Sequence, residues 1–238
     1  TKEQSFEEVL KCYWKAAYPW LTTTDHKYIG ILYIGTGFAW FFVAGILGLM
    51  IRWQLFEPRL DGDFLTYQEY NSTFTMHGTT MIFMAAMPII FGFANYLIPL
   101  QIGCRDMAFP RLNAMSYWLL PTGGIVIYMG YFTGGAGDVG WTGYVPYATA
   151  ESSTVPGTDF WVAGQIMLGA SSTLTAINFV TTILRMRAPG VTFMRMPLFT
   201  WSIFVTVCLL LLAIPVFAVA LILLMADRTF GTLYFSGS

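Results

Sequence analysis

The sequence contains five long apolar stretches, which run approximately over residues 28–51, 73–98, 114–132, 160–184 and 198–225. Each is about as long as the 20 residues with which an α-helix crosses the hydrocarbon core of a bilayer. Only 11% of the residues are charged, whereas soluble domains usually carry about 25%. These features predict an all-α, polytopic membrane helix bundle with five transmembrane helices.

The basic residues divide unequally between the two sides that such a bundle would have. Three of the twelve, Arg52, Arg59 and Arg228, lie on one side. The other nine lie in the N-terminal segment and in the loops 99–113 and 185–197: Lys2, Lys11, Lys15, Lys27, Arg105, Arg111, Arg185, Arg187 and Arg195. Because cytoplasmic loops carry the excess of Lys and Arg, we predict that the N-terminus is inside and that residues 1–27 form a cytoplasmic segment.

His77 is the histidine whose position asks most for an explanation. In the predicted orientation it lies about one helical turn inside the second span, near the outer face and level with Arg52. His26 lies at the inner surface, so the two histidines cannot share one ligand. A membrane histidine either donates a hydrogen bond to a neighbouring helix or binds a metal through neutral imidazole. The small and hydroxyl neighbours Gly78, Thr79 and Thr80 would let a flat macrocycle approach, but spacing alone leaves both roles open.

A polar stripe marks one face of the fourth span. Its members are spaced by three or four residues, which places them on the same side of a helix: Ser171, Thr175, Asn178 and Thr182. Such residues either bond back to their own helix and allow close packing or line a water-filled proton route. Asp106 lies in the inner loop, between Asn95 near the end of the second span and Asn113 near the start of the third. We expect these three groups to converge at the inner mouth of such a route.

The remaining features exclude several classes of protein. The net charge of −1 offers no basic surface for nucleic acid. Cys12, Cys104 and Cys208 form no CxxC pair, so neither a disulfide framework nor a zinc site is predicted. Trp141 and Tyr144 lie in the glycine-rich outer loop, where aromatic side chains commonly form an interfacial belt. We expect no cleavable signal peptide within residues 1–27, because they carry charges but no apolar core with a cleavage signature.

Several ordered strings between residues 24 and 234 resemble subunit I of the haem-copper oxidases. They are "TDHKYIGILY", "FTMHGTTMIF", "IPLQIGCRDMAFPRLNAMSYW", "GWTGYVPY", "GASSTLTAINFVTTILRMRAPG" and "ADRTFGTLYF". Within that family the chain is most similar to the aa3-type cytochrome c oxidases. The resemblance implies that the five spans are the first part of a twelve-helix core.

The resemblance also implies roles for individual residues. His77 matches the axial ligand of the low-spin haem A, and Arg52 matches the arginine that bonds its formyl group. Trp141 and Tyr144 match a stretch near the haem propionates and the oxygen-reducing site. Asp106 matches the entrance of the family's D proton pathway. The pathway's lining is matched by Asn95, Asn113, Asn178, Ser171, Ser172 and Tyr33.

In the family, the remaining cofactors are ligated by residues that would follow Ser238. They are a high-spin haem and copper B, and the second ligand of the low-spin haem also lies there. No oxygen-reducing site is therefore complete in this chain, and we expect it to be the N-terminal part of a subunit I that is either naturally split or longer. The implied partners are the rest of subunit I, a copper-A-bearing subunit II, subunit III, cytochrome c and the lipid membrane. We expect the protein to lie in a bacterial plasma membrane rather than in the mitochondrial inner membrane.

The implied activity is the transfer of electrons from cytochrome c through the low-spin haem to the haem-copper centre, where oxygen is reduced to water and protons are pumped. A quinol oxidase of the same superfamily is the nearest competing hypothesis. Those enzymes place Arg, Asp and His where this chain has Val43, Leu47 and Glu69. A haem-free channel or transporter bundle and a structural half-subunit are two further hypotheses.

One departure from the family concerns an outer cation site. Gln54 replaces a glutamate that helps many relatives bind a calcium or sodium ion, although Glu57 is nearby.

Overall fold

The computed structural model describes residues 6–57 and 64–235, and the basic residues Lys2 and Arg59 lie outside the described ranges. Within these ranges the chain is helical and forms no strand. The seven α-helices are α1 (Phe6–Thr22), α2 (His26–Gln54), α3 (Tyr67–Thr79), α4 (Met87–Ile102), α5 (Pro110–Met129), α6 (Pro156–Arg185) and α7 (Leu198–Phe230). A π-helical segment, Thr80–Ala86, joins α3 to α4 without a break.

The predicted spans are helices in the structure, with ends that lie a few residues from the predicted ones. Four of them are long and apolar enough to cross a membrane: α2, the continuous Tyr67–Ile102, α6 and α7. The third predicted span is the 20-residue α5, continued by a short 3₁₀ turn over Gly130–Phe132. It is not among these four because it carries polar residues such as Asn113 and Ser116 between its apolar ones. The all-α membrane fold is therefore confirmed.

Prolines inside the spans do not end the helices. α5 continues through Pro121 and α7 continues through Pro215. Pro88 lies two residues after the π-helical segment and occupies the first turn of α4. A proline lacks the amide hydrogen that would bond to the carbonyl four residues earlier, and a local π adjustment is one way in which membrane helices absorb that loss. The sequence did not predict this π segment.

Helix α2 packs antiparallel against the continuous α3–π–α4 rod. At one end His26 Nδ1 donates to the Asn95 carbonyl over 2.8 Å. In the middle, Gly30 meets Gly92 so closely that a Cβ on either would lie 2.8 Å from the other's carbonyl oxygen. At the other end His77 reaches the backbone of α2. Glycine therefore sets the close approach of the two rods, as in other membrane helix pairs.

Helices α5, α6 and α7 form the second half of the bundle. A Cβ on Gly164 of α6 would lie 2.7 Å from the Gly123 carbonyl oxygen of α5, so these two backbones are also in close contact. Trp161 is fully buried in the core that the helices share. Its indole nitrogen donates to Thr79 Oγ1 of α3 over 2.8 Å, which ties the two halves together.

Hydrogen bonds between loops and helix ends show which parts of the chain lie at the same end of the bundle. At the end that carries the α4–α5 loop, the Ala188 amide donates to the Ile102 carbonyl over 2.9 Å. At the opposite end, the Gly140 amide donates to Thr75 Oγ1 over 2.9 Å. The described basic residues are thereby divided between the ends as the sequence predicted. Helix α1, in contrast, was not predicted, because residues 1–27 were interpreted only as a charged segment.

Candidate functional site

His77 lies in the last turn of α3. That helix begins with a capping box, in which the Glu69 amide donates to Thr66 Oγ1 and the Glu69 carboxylate accepts from the Thr66 amide. His77 Nδ1 lies 2.8 Å from the Ala44 carbonyl oxygen of α2. A carbonyl oxygen only accepts, so Nδ1 carries the proton and Nε2 keeps its lone pair. Nε2 has no hydrogen-bond partner among the described residues.

The two roles that the sequence left open for His77 are therefore compatible. The hydrogen bond to a neighbouring helix is present, and it uses Nδ1. A metal-binding histidine usually donates its other ring nitrogen to a carbonyl or carboxylate, which fixes the tautomer and the ring orientation. The half-buried imidazole of His77 thus has the arrangement of a metal ligand that binds through Nε2.

One glycine, Gly48, makes room for this imidazole, whereas the second, Gly78, is covered by Trp141 at the place where the sequence predicted the approach of a flat macrocycle. A Cβ on Gly48 of α2 would lie 3.0 Å from His77 Cε1 and 3.3 Å from Nδ1, so the ring lies against bare backbone. A Cβ on Gly78 would lie 3.1 Å from the Trp141 ring, which packs there. Ala44, Gly48 and Arg52 are spaced by four residues along α2 and share one face. The exposed Arg52 therefore lies one turn beyond the glycine that faces His77.

The two predicted aromatic residues of the outer loop have different surroundings. Trp141 packs on the His77 helix through Gly78, and its ring centroid lies 6.4 Å from that of Phe83. Tyr144 is 74% exposed and lines a cavity of about 260 Å³ between the loop and α7. The structure thus brings Trp141 to the His77 region and places Tyr144 beside α7.

A buried polar cluster joins three helices in the inner half of the bundle. The Tyr33 hydroxyl of α2 donates to Ser116 Oγ of α5 over 3.1 Å and lies 3.3 Å from Thr175 Oγ1 of α6. Ser171 Oγ donates to the Ser116 carbonyl over 2.6 Å. Ser116 was not among the predicted residues, because its significance depends on a contact between distant spans. Ser172 is half-buried and lies outside this cluster.

The C-terminal part of the polar stripe on α6, Asn178 and Thr182, holds the loop between α4 and α5. Asn178 Oδ1 accepts from the Phe109 amide over 2.9 Å, and its Nδ2 donates to the Phe109 carbonyl over 3.2 Å. Thr182 Oγ1 accepts from the Ala108 amide over 2.9 Å and donates to the Asn178 carbonyl over 2.7 Å. The packing role that the sequence left open therefore applies to these two residues, which fix the position of the loop that carries Asp106.

Buried amide atoms without partners lie in the helices on either side of this loop. Both side-chain polar atoms of Asn113 and the Oδ1 of Asn95 are buried and have no hydrogen-bond partner among the described residues. Each such atom costs free energy unless it binds water. Within the described residues, Asp106 accepts from the amide of Met107 and has no direct bond to either asparagine. Convergence of the three groups at one mouth therefore stays a prediction.

Cys104 lies two residues before Asp106 and is half-buried. Burial raises the pKa of its thiol above the ordinary value, and the nearby Asp106 carboxylate raises it further. The thiol therefore stays neutral at physiological pH and donates weakly to the Asp106 carbonyl over 3.3 Å. Among residues 6–57 and 64–235, no group of three or more His, Cys, Asp or Glu side chains is arranged to hold a metal ion.

Arg228 is a structural residue, although the sequence marks it only as one of the outer charges. Its guanidinium forms an ion pair with Asp159 at the start of α6. It also donates to the carbonyls of Ala148 over 2.9 Å and Ser153 over 3.0 Å. Arg228 therefore fastens the outer loop to α7. No local sequence signal identifies it, because all its acceptors are more than 60 residues away.

Comparison with known proteins identifies the family of this chain. A protein-family model described as "Cytochrome C and Quinol oxidase polypeptide I" matches residues 28–238. Cytochrome c oxidase subunit 1 of Corynebacterium efficiens is 48% identical over 220 residues, covering 91% of this chain and 38% of the relative. Cytochrome c oxidase subunit 1 of Bacillus subtilis is 49% identical over 217 residues, covering 91% of this chain and 34% of the relative. The chain thus spans less than two fifths of the length of these relatives. With 211 of its residues matched, it belongs to the cytochrome c and quinol oxidase polypeptide I family.

Proposed function

We propose that this chain is the N-terminal part of the catalytic subunit of a proton-pumping terminal oxidase. In that enzyme, electrons pass from cytochrome c through a low-spin haem A to a haem-copper centre that reduces oxygen to water. The relatives, which are cytochrome c oxidase subunits 1, support the activity. The observation that carries the proposal for this chain is the His77 imidazole, whose Nδ1 is held by Ala44 while Nε2 is unpartnered among the described residues.

The residues around His77 fit a haem. Neutral imidazole is a common axial ligand of haem iron, and a haem with two such ligands supplies one-electron transfer. The Ala44 carbonyl fixes the ring orientation and increases the basicity of the ligand through the Nδ1 proton. The proposed partner of the formyl group, Arg52, lies on the same face of α2. The high-spin haem and copper B would be held mainly by residues outside this chain.

Replacing His77 by alanine tests the haem proposal. We expect His77→Ala to abolish the low-spin haem absorption of the purified oxidase, whereas His26→Gln, which alters the chain's second histidine, should leave that absorption intact. His26 is a matched control because its Nδ1 also donates to a helix carbonyl, over 2.8 Å, at the other end of α2. An unchanged low-spin spectrum in His77→Ala would make this residue a bystander. A complex without haem bands would instead favour the haem-free bundle.

We further propose that the inner half of the bundle conducts protons. Asp106 would collect protons at the mouth, and the lining would be formed by Asn95, Asn113, Asn178, Ser171, Ser172 and Tyr33. Support comes from the unpartnered amide atoms of Asn95 and Asn113, which offer binding positions for water. The Tyr33 hydroxyl and its two hydroxyl neighbours continue the polar chain toward the bundle centre.

Neutralising Asp106 tests the proton route. We expect Asp106→Asn to slow turnover and abolish pumping while the haem spectrum remains unchanged. The matched control is Asp25→Asn, which removes a carboxylate at the same end of the bundle but keeps an N-cap residue for α2. If proton uptake by Asp106→Asn equals that of the control, the assignment of the inner mouth is wrong.

Cytochrome c is the electron donor that the residues favour. Val43, Leu47 and Glu69 occupy the positions where quinol oxidases place Arg, Asp and His. Glu69 is used in the capping box of α3, and Leu47 is buried in the core. The purified complex should oxidise reduced cytochrome c and contain a copper-A subunit. Oxidation of quinol alone, without copper A, would reverse this assignment.

The setting of the chain follows from the same proposal. Residues 1–27 would lie on the cytoplasmic side of a bacterial plasma membrane, because the basic residues are concentrated at that end. The five membrane helices would be the first part of a twelve-helix core. The rest of subunit I, subunit II with copper A, and subunit III would cover part of the apolar surface that is exposed on this chain. Nucleic acid is not expected to bind.

A further inference from the structure

Helix α1 packs little against the other helices of the bundle. Every side chain from Tyr13 to Thr22 is exposed, although several of them are large and aromatic. Tyr13 is 71% exposed and Trp14 is 63% exposed. An exposed aromatic cluster of this kind on a membrane protein requires a covering environment.

The exposed residues of α1 form two opposite faces. The apolar face contains Tyr13, Trp14, Ala17, Trp20 and Leu21, which recur at the spacing of one side of a helix. Lys15 and Thr22 lie on the opposite side. Trp and Tyr are the residues that favour the boundary between lipid headgroups and acyl chains, where one part of the ring is apolar and another is hydrated.

A ring contact joins this apolar face to the lipid-facing side of α2. The Trp20 and Tyr28 centroids lie 4.8 Å apart in an edge-to-face arrangement. Tyr28 begins an exposed, mostly apolar stripe that follows one side of α2 along its length: Tyr28, Ile31, Gly35, Phe38, Phe42, Ile46, Leu49 and Trp53. The face of α1 and the stripe of α2 are therefore continuous through Trp20.

The connection between the helices keeps α1 near the membrane surface. Only Thr23, Thr24 and Asp25 separate α1 from α2, and three residues reach about 10 Å at most. Asp25 caps α2 by accepting from the Lys27 amide over 2.8 Å, so the start of the spanning helix is fixed. The C-terminal end of a helix tethered this closely to the end of a membrane span lies near the interface between lipid and water.

We propose that α1 is an interfacial helix that binds the lipid surface with its apolar face. Tyr13, Trp14, Trp20 and Leu21 enter the boundary between headgroups and acyl chains, and Lys15 faces water. The occupant is lipid because the face is continuous with the exposed stripe of a spanning helix and is rich in Trp and Tyr. The proposal depends on the membrane crossing of α2 and not on the oxidase activity.

Spin labels on adjacent residues of opposite faces test the proposal. The full-length subunit in its complex is reconstituted in liposomes after Cys12, Cys104, Cys208 and every other accessible cysteine that does not bind copper have been replaced by serine, and a label is attached to either Trp14→Cys or Lys15→Cys. Oxygen, which partitions into lipid, should relax the label at position 14 several-fold more than a water-soluble nickel chelate does. The label at position 15 should show the reverse. Equal access of the chelate to both labels, or protection of position 14 from both reagents by protein, would overturn the proposal.

A second measurement leaves the cysteines in place. Lipids that are brominated near the headgroup quench nearby tryptophans. We expect them to quench a smaller fraction of the total fluorescence in Trp14→Phe than in the unmodified complex. An identical quenched fraction in the two proteins would contradict the insertion of Trp14.

Discussion

Substituting Gly48 by alanine would press one methyl group against the His77 ring. The added Cβ would lie 3.0 Å from Cε1, whereas carbon atoms in contact rest about 3.5–4.0 Å apart. The ring must therefore move by a few tenths of an ångström. His77 Nδ1 is 2.8 Å from the Ala44 carbonyl, so a shift of this size away from it would bring the bond to the edge of the hydrogen-bonding range of about 2.7–3.2 Å.

The matched control for this variant is Gly35→Ala on the same helix. A Cβ on Gly35 would meet nothing within 4 Å, and Gly35 is exposed. Both substitutions gain about 1 kcal/mol of helix propensity. Only the change at Gly48 incurs the overpacking cost of about 1–3 kcal/mol. We therefore expect Gly35→Ala to match or raise the thermal stability of the complex and Gly48→Ala to lower it.

The electronic effect of Gly48→Ala follows from the lost or lengthened hydrogen bond. A weaker bond at Nδ1 makes the imidazole of His77 a poorer electron donor to iron, which disfavours the oxidised haem. We expect the reduction potential of the low-spin haem to rise in Gly48→Ala and to remain unchanged in Gly35→Ala. A redox titration followed by the low-spin haem absorbance measures both. Equal potentials and equal stabilities in the two variants would refute the account of the His77 surroundings.

Three further predictions concern buried polar groups. Both polar atoms of the Gln165 amide lack partners among the described residues. Gln165→Leu should therefore raise the melting temperature of the complex by the equivalent of about 1–3 kcal/mol. The control Gln101→Leu, which removes the acceptor of a 2.7 Å bond from Thr200, should lower the melting temperature. Arg228→Gln should lower the free energy of local opening of the outer loop by about 1–3 kcal/mol and so make the loop more susceptible to proteolysis. Unchanged cleavage would contradict the role of Arg228 in holding the loop. Tyr33→Phe should slow proton uptake several-fold, whereas Tyr117→Phe, which also breaks a contact between α2 and α5, should not.

The membrane helices could be predicted from the sequence because the bilayer fixes their length and their apolar composition. Each of the five predicted spans is a helix, although α5 is less apolar than the other four. The sequence also singles out His77, since an ionisable side chain in an apolar run is costly and needs a reason, and the structure supplies one in the bond of its Nδ1 to the Ala44 carbonyl. The ligand role comes from the family resemblance, which no spacing rule provides, and it stays a prediction.

Features that depend on contacts between distant residues could not be predicted. Ser116 gains its place in the polar cluster only because α2, α5 and α6 meet there. The use of Asn178 and Thr182 to hold the inner loop depends on the path of the chain after α4. The amphipathic pattern of α1 was present in the sequence but was obscured by the charges of residues 1–27.

In the proposed arrangement, His77 Nε2, and not Nδ1, binds the iron of a haem that a second residue outside this chain also ligates. An experimental density map of the assembled complex tests this bond most directly. We expect continuous density from a porphyrin iron to Nε2, with Nδ1 still bonded to the Ala44 carbonyl and Gly48 beside the ring. A porphyrin bound elsewhere, or a His77 ring that faces lipid without any macrocycle, would contradict it.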